Sequence, residues 1–119
     1  MDYKEILFSL QDGLAVVTLN REARKNALNS RMRSEITHAM RMASSEARAV
    51  VLTGAGDAFC SGQDLSDAGS NGGQLDLERT LRDEYGPMLR AIYDSPIPTI
   101  SAVNGAAATR RRSRLPPAR

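Results

Sequence analysis

The sequence predicts an α/β protein built from strand-strand-helix units. Four apolar runs rich in β-branched residues have the composition of strands, at residues 4–10, 14–19, 49–53 and 97–103. Two further segments, from Leu28 and from Leu77, repeat apolar residues every three or four positions, the spacing of an amphipathic helix. A chain of 119 residues with 41% hydrophobic and 25% charged residues is ordinary for one soluble globular domain.

The first two runs are predicted to form a β-hairpin. Gln11-Asp12-Gly13 lies between them, and Asp-Gly is a pair that tight hairpin turns favour. The chain is therefore expected to open with two antiparallel strands.

An amphipathic helix is predicted from Leu28 onward. Its apolar stripe consists of Met32, Ile36, Met40 and Ala43. The polar residues are expected on the remaining, solvated faces: Arg31, Arg33, Glu35, His38 and Arg41. Ser30 is the candidate N-cap.

The segment from Ala49 to Leu65 joins a strand to a loop suited to a ligand. The turn Gly54-Ala-Gly56-Asp57 permits a tight reversal, and Ala58-Phe59-Cys60 forms a second extended piece. In the loop that follows, Gly62 lets the backbone approach a ligand and leaves the next N–H groups free to donate. Cys60, the single cysteine, is expected to be a small buried hydrophobe, without a disulfide or metal partner.

A loop, a second helix and a third core strand complete the prediction. Residues 66–74 have loop composition, and the helical stripe comprises Leu77, Leu81, Tyr85, Met88, Leu89 and Ile92. Gly86-Pro87 should kink or restart this helix, and Asp94-Ser95-Pro96 should end it. Strands at Val50–Thr53 and Ile100–Val103 are expected to be neighbours. The side chains expected in the core are Val51, Leu52, Phe59, Ile100 and Val103.

Four segments together point to a known family. Gly54–Leu65 matches the pattern G-x-G-x-x-F-(C/S)-x-G-x-D-(L/I), and three segments agree in order and spacing: Val16–Arg21, Asn26–Asn29 and Ile97–Ala106. Together they extend over nearly all of residues 6–108 and resemble the crotonase, or enoyl-CoA hydratase/isomerase, superfamily. The resemblance implies the crotonase (ClpP/crotonase-like) spiral of strand-strand-helix units, of which this chain holds the N-terminal part.

The resemblance stops after Ala108. Residues 109–119 contain five arginines, two prolines and no acid, and removing them changes the formal net charge from +2 to −3. We therefore divide the chain into a partial crotonase-like domain, 1–108, and a basic, disordered tail, 109–119. The tail is interpreted as a solvated extension, as an arm for an anionic partner, or as the product of truncation or a shifted reading frame. We favour the last interpretation, because the tail interrupts a motif in mid-turn.

The family resemblance implies binding of an acyl-CoA or enoyl-CoA thioester. In the family, two backbone N–H groups form an oxyanion hole that stabilises an enolate. By motif position the first donor is the backbone N–H of Gln63, whereas the second falls on Arg110 in the tail. The implied ligand-binding residues are Arg24, Lys25, Ala27, Leu28, Ser61, Gly62, Gln63, Asp64, Leu65 and Gly105. The loop before Asn26 departs from the family's Asn-Arg-Pro pattern, because Glu22 stands at the proline position.

No catalytic acid or base is assigned. The resemblance implies that the catalytic carboxylates lie in the helix after the turn at Asn104-Gly105 or in later segments. This sequence has no carboxylate side chain after Asp94. The loss of a positioned acid-base group costs a factor of roughly 10² to 10⁴ in rate. We therefore expect the chain by itself to lack turnover. Coenzyme A enters as part of the substrate, and no separate cofactor or metal is expected.

The alternative is a non-catalytic binding protein whose Arg-rich tail contacts a polyanion. Nucleic acid is disfavoured as that partner, because no aromatic residues are interleaved with the arginines and residues 1–108 are acidic. No membrane segment is expected, and a cytoplasmic location is the simplest inference. The resemblance also implies a trimer or hexamer, although the second half of family members supplies much of that assembly.

Overall fold

The computed structural model describes residues 2–62 and 77–107. The strands are β1 (Ile6–Gln11), β2 (Leu14–Leu19), β3 (Ala49–Gly54), β4 (Ala58–Cys60), β5 (Thr99–Ala102) and β6 (Ala106–Ala107). The helices are a 3₁₀ turn (Glu22–Arg24), α1 (Ser30–Glu46), α2 (Leu77–Thr80), a π-helical turn (Leu81–Tyr85) and α3 (Gly86–Tyr93). The predicted loop 66–74, the tail 109–119, Gln63, Asp64, Leu65 and Arg110 lie outside the described residues. The predicted strand-strand-helix order is present.

The hairpin prediction is confirmed. β1 and β2 pair antiparallel from Ile6 opposite Leu19 to Gln11 opposite Leu14. At the turn, Asp12 and Gly13 have φ angles of 55° and 82°. Two successive positive φ values are typical of the type I′ turn that Asp-Gly favours.

Two sheets organise the described residues. Four strands form one sheet in the order β1-β2-β3-β5, in which β2-β3 and β3-β5 are parallel. β4 and β6 form a separate parallel pair. Helix α1 packs on one face of the larger sheet, where the buried core comprises Ile6, Ala15, Val17, Leu19, Val50 and Leu52 with Met32, Ile36, Ala39, Met40 and Ala43.

The expected burial of β5 is wrong. Val51 lies beside Ile100 in the parallel register, and these two residues point away from α1, because successive strand residues alternate faces. Of the five residues expected in the core, Leu52 is buried and Val51 and Phe59 are half-buried, whereas Ile100 and Val103 are 54% and 49% exposed. β5 is an edge strand of the described sheet, so apolar composition alone was a poor guide to its burial.

Helix α1 begins with a different cap from the predicted one. The Asn29 side-chain oxygen accepts a hydrogen bond from the Met32 N–H at 2.8 Å, so Asn29 is the N-cap. Ser30 is the first helical residue, and its hydroxyl donates to Glu84 at 3.0 Å. The predicted apolar stripe is confirmed, since Met32, Ile36, Met40 and Ala43 are all buried.

Two charged residues expected on solvated faces of α1 are buried. Arg33 and Glu35 are 2% and 1% exposed. The Glu35 carboxylate accepts hydrogen bonds from the backbone N–H groups of Lys4 and Glu5 at 2.9 and 2.8 Å, and from Arg31 at 2.7 Å. Glu35 therefore fastens the segment before β1 to the helix.

His38 also departs from expectation. It is half-buried, and its Nδ1 shares a 2.7 Å hydrogen bond with the hydroxyl of Tyr3. The two rings meet edge to face with centroids 5.7 Å apart. His38 is thus packed against the N-terminal segment instead of being solvated.

The second helix continues across Gly86-Pro87 through a π-helical turn. The Gly86 N–H donates to the Leu81 carbonyl, five residues back, just before the proline. The irregularity predicted at Gly86-Pro87 is therefore present in the helix. Asp94 is the C-cap, so the helix ends where it was expected to end. Of the predicted stripe Met88 is buried, whereas Leu81 and Leu89 are 58% and 44% exposed. Among the described residues, no helix combines the length and apolar character needed to cross a bilayer.

We predict that the Glu35 contacts make stability depend on acid pH. Burial alone would raise the pKa of Glu35, but the backbone donors of Lys4 and Glu5 and the Arg31 side chain outweigh it, so the pKa lies below the usual 4.5. The contribution is therefore present above about pH 4.5 and is lost as the pH falls through the folded-state value. Glu35→Gln should lower the free energy of unfolding at neutral pH and make the acid loss shallower in circular-dichroism melts. Parallel pH profiles for both proteins would contradict this.

Candidate functional site

The predicted ligand-binding residues between Arg24 and Leu28 meet those at Ser61 and Gly62 in the structure. The Ser61 N–H donates to the Lys25 carbonyl at 3.1 Å, and the Leu28 N–H donates to the Gly62 carbonyl at 2.7 Å. The Ser61 hydroxyl also reaches the Arg24 carbonyl at 3.3 Å. We call residues 24–28 the first loop and Ser61–Gly62 the β4 end. The fold brings these two predicted segments into direct contact, although more than 30 residues separate them in sequence.

Gly62 has a backbone conformation consistent with the predicted approach of a ligand to the main chain. Its φ is 101°, in the region that L side chains rarely adopt, and a Cβ added there would meet no atom of the described residues within 4 Å. Residues 2–62 and 77–107 therefore leave its main chain accessible from that side. Burial raises the pKa of the neighbouring Cys60 thiol, against a smaller opposing effect of the Gly62 N–H. Cys60 is half-buried, a little more exposed than expected.

Asn26 is a residue whose importance sequence reasoning missed. It is fully buried, and its φ of 57° follows a φ of 53° at Lys25. Its amide group donates to the carbonyls of Ala55 and Ala58 at 3.0 and 2.8 Å, and its oxygen accepts from the Arg21 N–H at 2.7 Å. The available signal was the residue type, because asparagine tolerates the left-handed region better than most side chains.

The cations of the first loop differ in their surroundings. The Lys25 ammonium lies 3.2 Å from the Asp57 carboxylate, and both side chains are exposed. Arg21 is partly buried and donates to the Ala27 carbonyl at 2.5 Å. Arg24 is exposed, and its guanidinium has no partner among residues 2–62 and 77–107. Arg24 is therefore better placed than Lys25 to pair with a phosphate.

Gly105 packs against the β3–β4 turn rather than against the first loop. A Cβ at this position would overlap the carbonyl oxygen of Asp57. Next to it, the Asn104 side chain accepts from the Gly54 N–H at 3.1 Å and donates to the Gly56 carbonyl at 3.0 Å. These contacts bring the chain before β6 alongside β4.

The parallel pairing of β4 with β6 bears on the two predicted donors. Cys60 lies opposite Ala107, so the two strands end side by side at one edge. By sequence position Gln63 follows Cys60 by three residues, and Arg110 follows Ala107 by three. The two chain segments that carry the predicted donors therefore leave the sheet at neighbouring positions.

A separate cavity lies between α1 and α3. It has a volume of about 300 Å³ and is lined by Arg33, Ser34, Thr37, His38, Arg41, Asp83, Glu84 and Pro87. Among the described residues, none of those predicted to bind the ligand lines it. In the described part of the chain there is also no group of three or more His, Cys, Asp or Glu side chains that could hold a metal ion.

Comparison with known proteins identifies related sequences. Residues 9–109 match the family model for enoyl-CoA hydratase/isomerase. The chain is 56% identical over 108 residues to a Rhodobacter capsulatus protein named probable enoyl-CoA hydratase, and 36% identical over 107 residues to the 1,2-epoxyphenylacetyl-CoA isomerase of Escherichia coli. These matches take in 91% and 87% of this chain.

The fold is likewise similar to solved structures. An enoyl-CoA hydratase/isomerase from Mycobacterium paratuberculosis superimposes with a TM-score of 0.76 at 28% identity, over 88% of this chain and 43% of that chain. The present chain spans 41% of the length of each of the two sequence relatives.

Proposed function

The chain belongs to the enoyl-CoA hydratase/isomerase family, and on that basis we propose that it binds acyl-CoA thioesters through its first loop and its β4 end. The predicted crotonase fold is confirmed by the structural match. The observation that supports the binding proposal is the hydrogen bond between Leu28 and Gly62, because it brings the two segments predicted to bind the ligand into contact. In this proposal coenzyme A is part of the substrate, and no separate cofactor is needed.

The proposed role of the β4 end is to polarise the thioester carbonyl. Backbone N–H donors that are fixed before the reaction stabilise developing enolate charge, with each donor typically worth about 3 kcal/mol. The open backbone at Gly62 supports an approach of the thioester to the following N–H, that of Gln63. The side-by-side ends of β4 and β6 support a second donor from the segment that includes Arg110. Asp64 and Leu65, which follow Gln63 in the same loop, are proposed to contribute to binding of the acyl-CoA.

We further propose that the 119-residue chain by itself does not turn over enoyl-CoA. It spans 41% of its relatives' length, and it has no carboxylate side chain after Asp94, where the family resemblance leads us to expect the general acid and base. We propose that the trimeric or hexameric assembly implied by the family resemblance belongs to the full-length relatives and not to this 119-residue chain. A cytoplasmic location is likewise a proposal for this chain.

Binding and turnover of crotonyl-CoA by the purified chain test this function. We expect saturable binding in equilibrium dialysis, and no loss of the enoyl thioester absorbance above that of a mock preparation from the same host. Absence of binding would contradict the proposed function. Turnover would show that a catalytic group has been overlooked.

The two cations of the first loop should contribute unequally to binding. Arg24→Ala should raise the Kd for crotonyl-CoA about fivefold at low salt, equivalent to roughly 1 kcal/mol for an exposed ionic contact. Lys25→Ala should have a smaller effect, because Asp57 already pairs with the ammonium group. Both effects should shrink as salt is added.

An arginine outside the site provides the control for these variants. Arg48 donates to the Asp12 carbonyl at the hairpin turn, so Arg48→Ala should leave the Kd unchanged. A larger effect of Lys25→Ala than of Arg24→Ala would contradict the assignment.

A further inference from the structure

Asn26 connects the two segments that are proposed to bind one ligand. It lies within the first loop, yet its amide group donates to the carbonyls of Ala55 and Ala58, which flank the β3–β4 turn. Ala58 begins β4, the strand that leads directly to Ser61 and Gly62. One side chain thus links the first loop to the strand that carries the β4 end.

We infer that Asn26 is a positioning residue, whose amide group fixes the first loop relative to the β4 end so that one acyl-CoA molecule contacts both. This inference rests on the proposed function. Asn26 is fully buried, so its side chain acts through the two loops and is not expected to contact the ligand. Its role is separate from that of the exposed Arg24 in the same loop.

The chemistry of this position requires an amide side chain. Asn26 donates to two carbonyls and accepts from the Arg21 N–H, so the carboxylate of aspartate would face two carbonyl oxygens without a proton to donate. The φ of 57° is a second requirement, and glycine also meets it. Asn26→Gly therefore removes the hydrogen bonds of the side-chain amide group while permitting the same backbone conformation.

The consequence for binding follows from linkage. When two segments are held in register, a ligand that has engaged one of them meets the other at high effective concentration. If the register is loosened, a ligand that needs both segments loses affinity, whereas a fragment that needs only one does not. Adenosine 3′,5′-bisphosphate is such a fragment, because it carries the phosphate groups proposed to meet Arg24 but lacks the thioester.

The binding test compares these two probes in two variants. In Asn26→Gly the Kd for crotonyl-CoA should rise about tenfold, and the Kd for adenosine 3′,5′-bisphosphate should change less than about twofold. The matched control is Asn29→Ala, which removes the α1 cap at Met32 and should affect both ligands less than about twofold. Equal weakening of both ligands in Asn26→Gly, or no weakening of either, would overturn the inference.

Hydrogen exchange tests the same inference without a ligand. The Leu28 and Ser61 amides, which join the two segments, should exchange about tenfold faster in Asn26→Gly. In Asn29→Ala, which loses stability through the α1 cap instead, the same two amides should change less than about twofold. Unchanged exchange at Leu28 and Ser61 in Asn26→Gly, or the same acceleration of both amides in Asn29→Ala, would overturn the inference. If the parent chain binds no crotonyl-CoA, the proposed function fails, while hydrogen exchange still decides whether Asn26 couples the loops.

Discussion

Replacing Arg33 by alanine is expected to lower the free energy of unfolding by about 3 kcal/mol, because one partner of a largely buried ion pair is removed. The Arg33 guanidinium donates to Glu84 at 2.6 Å and to the Leu28 carbonyl at 2.9 Å, and it lies 4.6 Å from the ring centroid of Tyr85. It therefore joins α1 to the second helix and to the first loop. Since domains of this size are stable by roughly 5–15 kcal/mol, the loss should be visible as a lower melting temperature.

An exposed ion pair provides the control for Arg33. Arg82 and Glu78 are 60% and 73% exposed, so Arg82→Ala should cost less than about 1 kcal/mol. Thermal melts at one pH and one salt concentration would measure both variants. Similar melting temperatures for Arg33→Ala and Arg82→Ala would contradict the structural role given to Arg33.

Replacing Gly105 by alanine is expected to cost about 2 kcal/mol and to weaken crotonyl-CoA binding. The added Cβ would overlap the Asp57 carbonyl oxygen, and the two next nearest atoms, the Asp57 carbonyl carbon and the Ala58 Cα, also belong to the backbone. Backbone atoms cannot rotate away, so β6 must shift from β4. The shift would move the chain segment that leads to the proposed second donor.

Gly86→Ala is the matched control for Gly105→Ala. Gly86 lies in a helix, where alanine is intrinsically favoured, although its Cβ would lie 3.1 Å from the Leu81 carbonyl oxygen. Its effect on the free energy of unfolding should be below about 1 kcal/mol, and binding should be unchanged. A Gly105→Ala protein with the stability and Kd of the parent would show that β6 can move without consequence.

Local patterns predicted much of the fold. The Asp12-Gly13 turn, the apolar stripe of α1 and the strands at 49–53 and 58–60 each depend on neighbouring residues, and each is present in the structure. The Ser30 cap was wrong because Asn29, one residue earlier, has a side chain that reaches the Met32 N–H. Such one-residue differences depend on the backbone angle at the start of the helix.

Burial was harder to predict than secondary structure. Arg33 and Glu35 read as surface residues because they are charged, yet partners distant in sequence stabilise them in the interior: Glu84 for Arg33, and the Lys4 and Glu5 amides for Glu35. Ile100 read as core because it is apolar, yet it lies on the sheet face opposite α1. In each case the outcome depends on long-range packing, which periodicity does not encode.

At the candidate site, too, local sequence was informative and long-range contacts were not. The family resemblance indicated which segments to consider, but the bonds that join Lys25 to Ser61 and Leu28 to Gly62 could not be deduced from spacing. The buried side chain of Asn26 also connects the first loop to β4. In the sequence this residue was only one position of a matching motif, with no role assigned to it. The roles of Gln63, Asp64 and Leu65 stay predictions.

A titration of the ¹⁵N-labelled chain with crotonyl-CoA, followed by amide chemical shifts, tests the central claim most directly. Binding at the proposed site predicts saturable shifts concentrated in the first loop and at Ser61 and Gly62, with little change around the cavity between α1 and α3. Shifts concentrated instead at the cavity residues from Ser34 to Arg41, or no saturable shifts at all, would contradict the assignment of the acyl-CoA site.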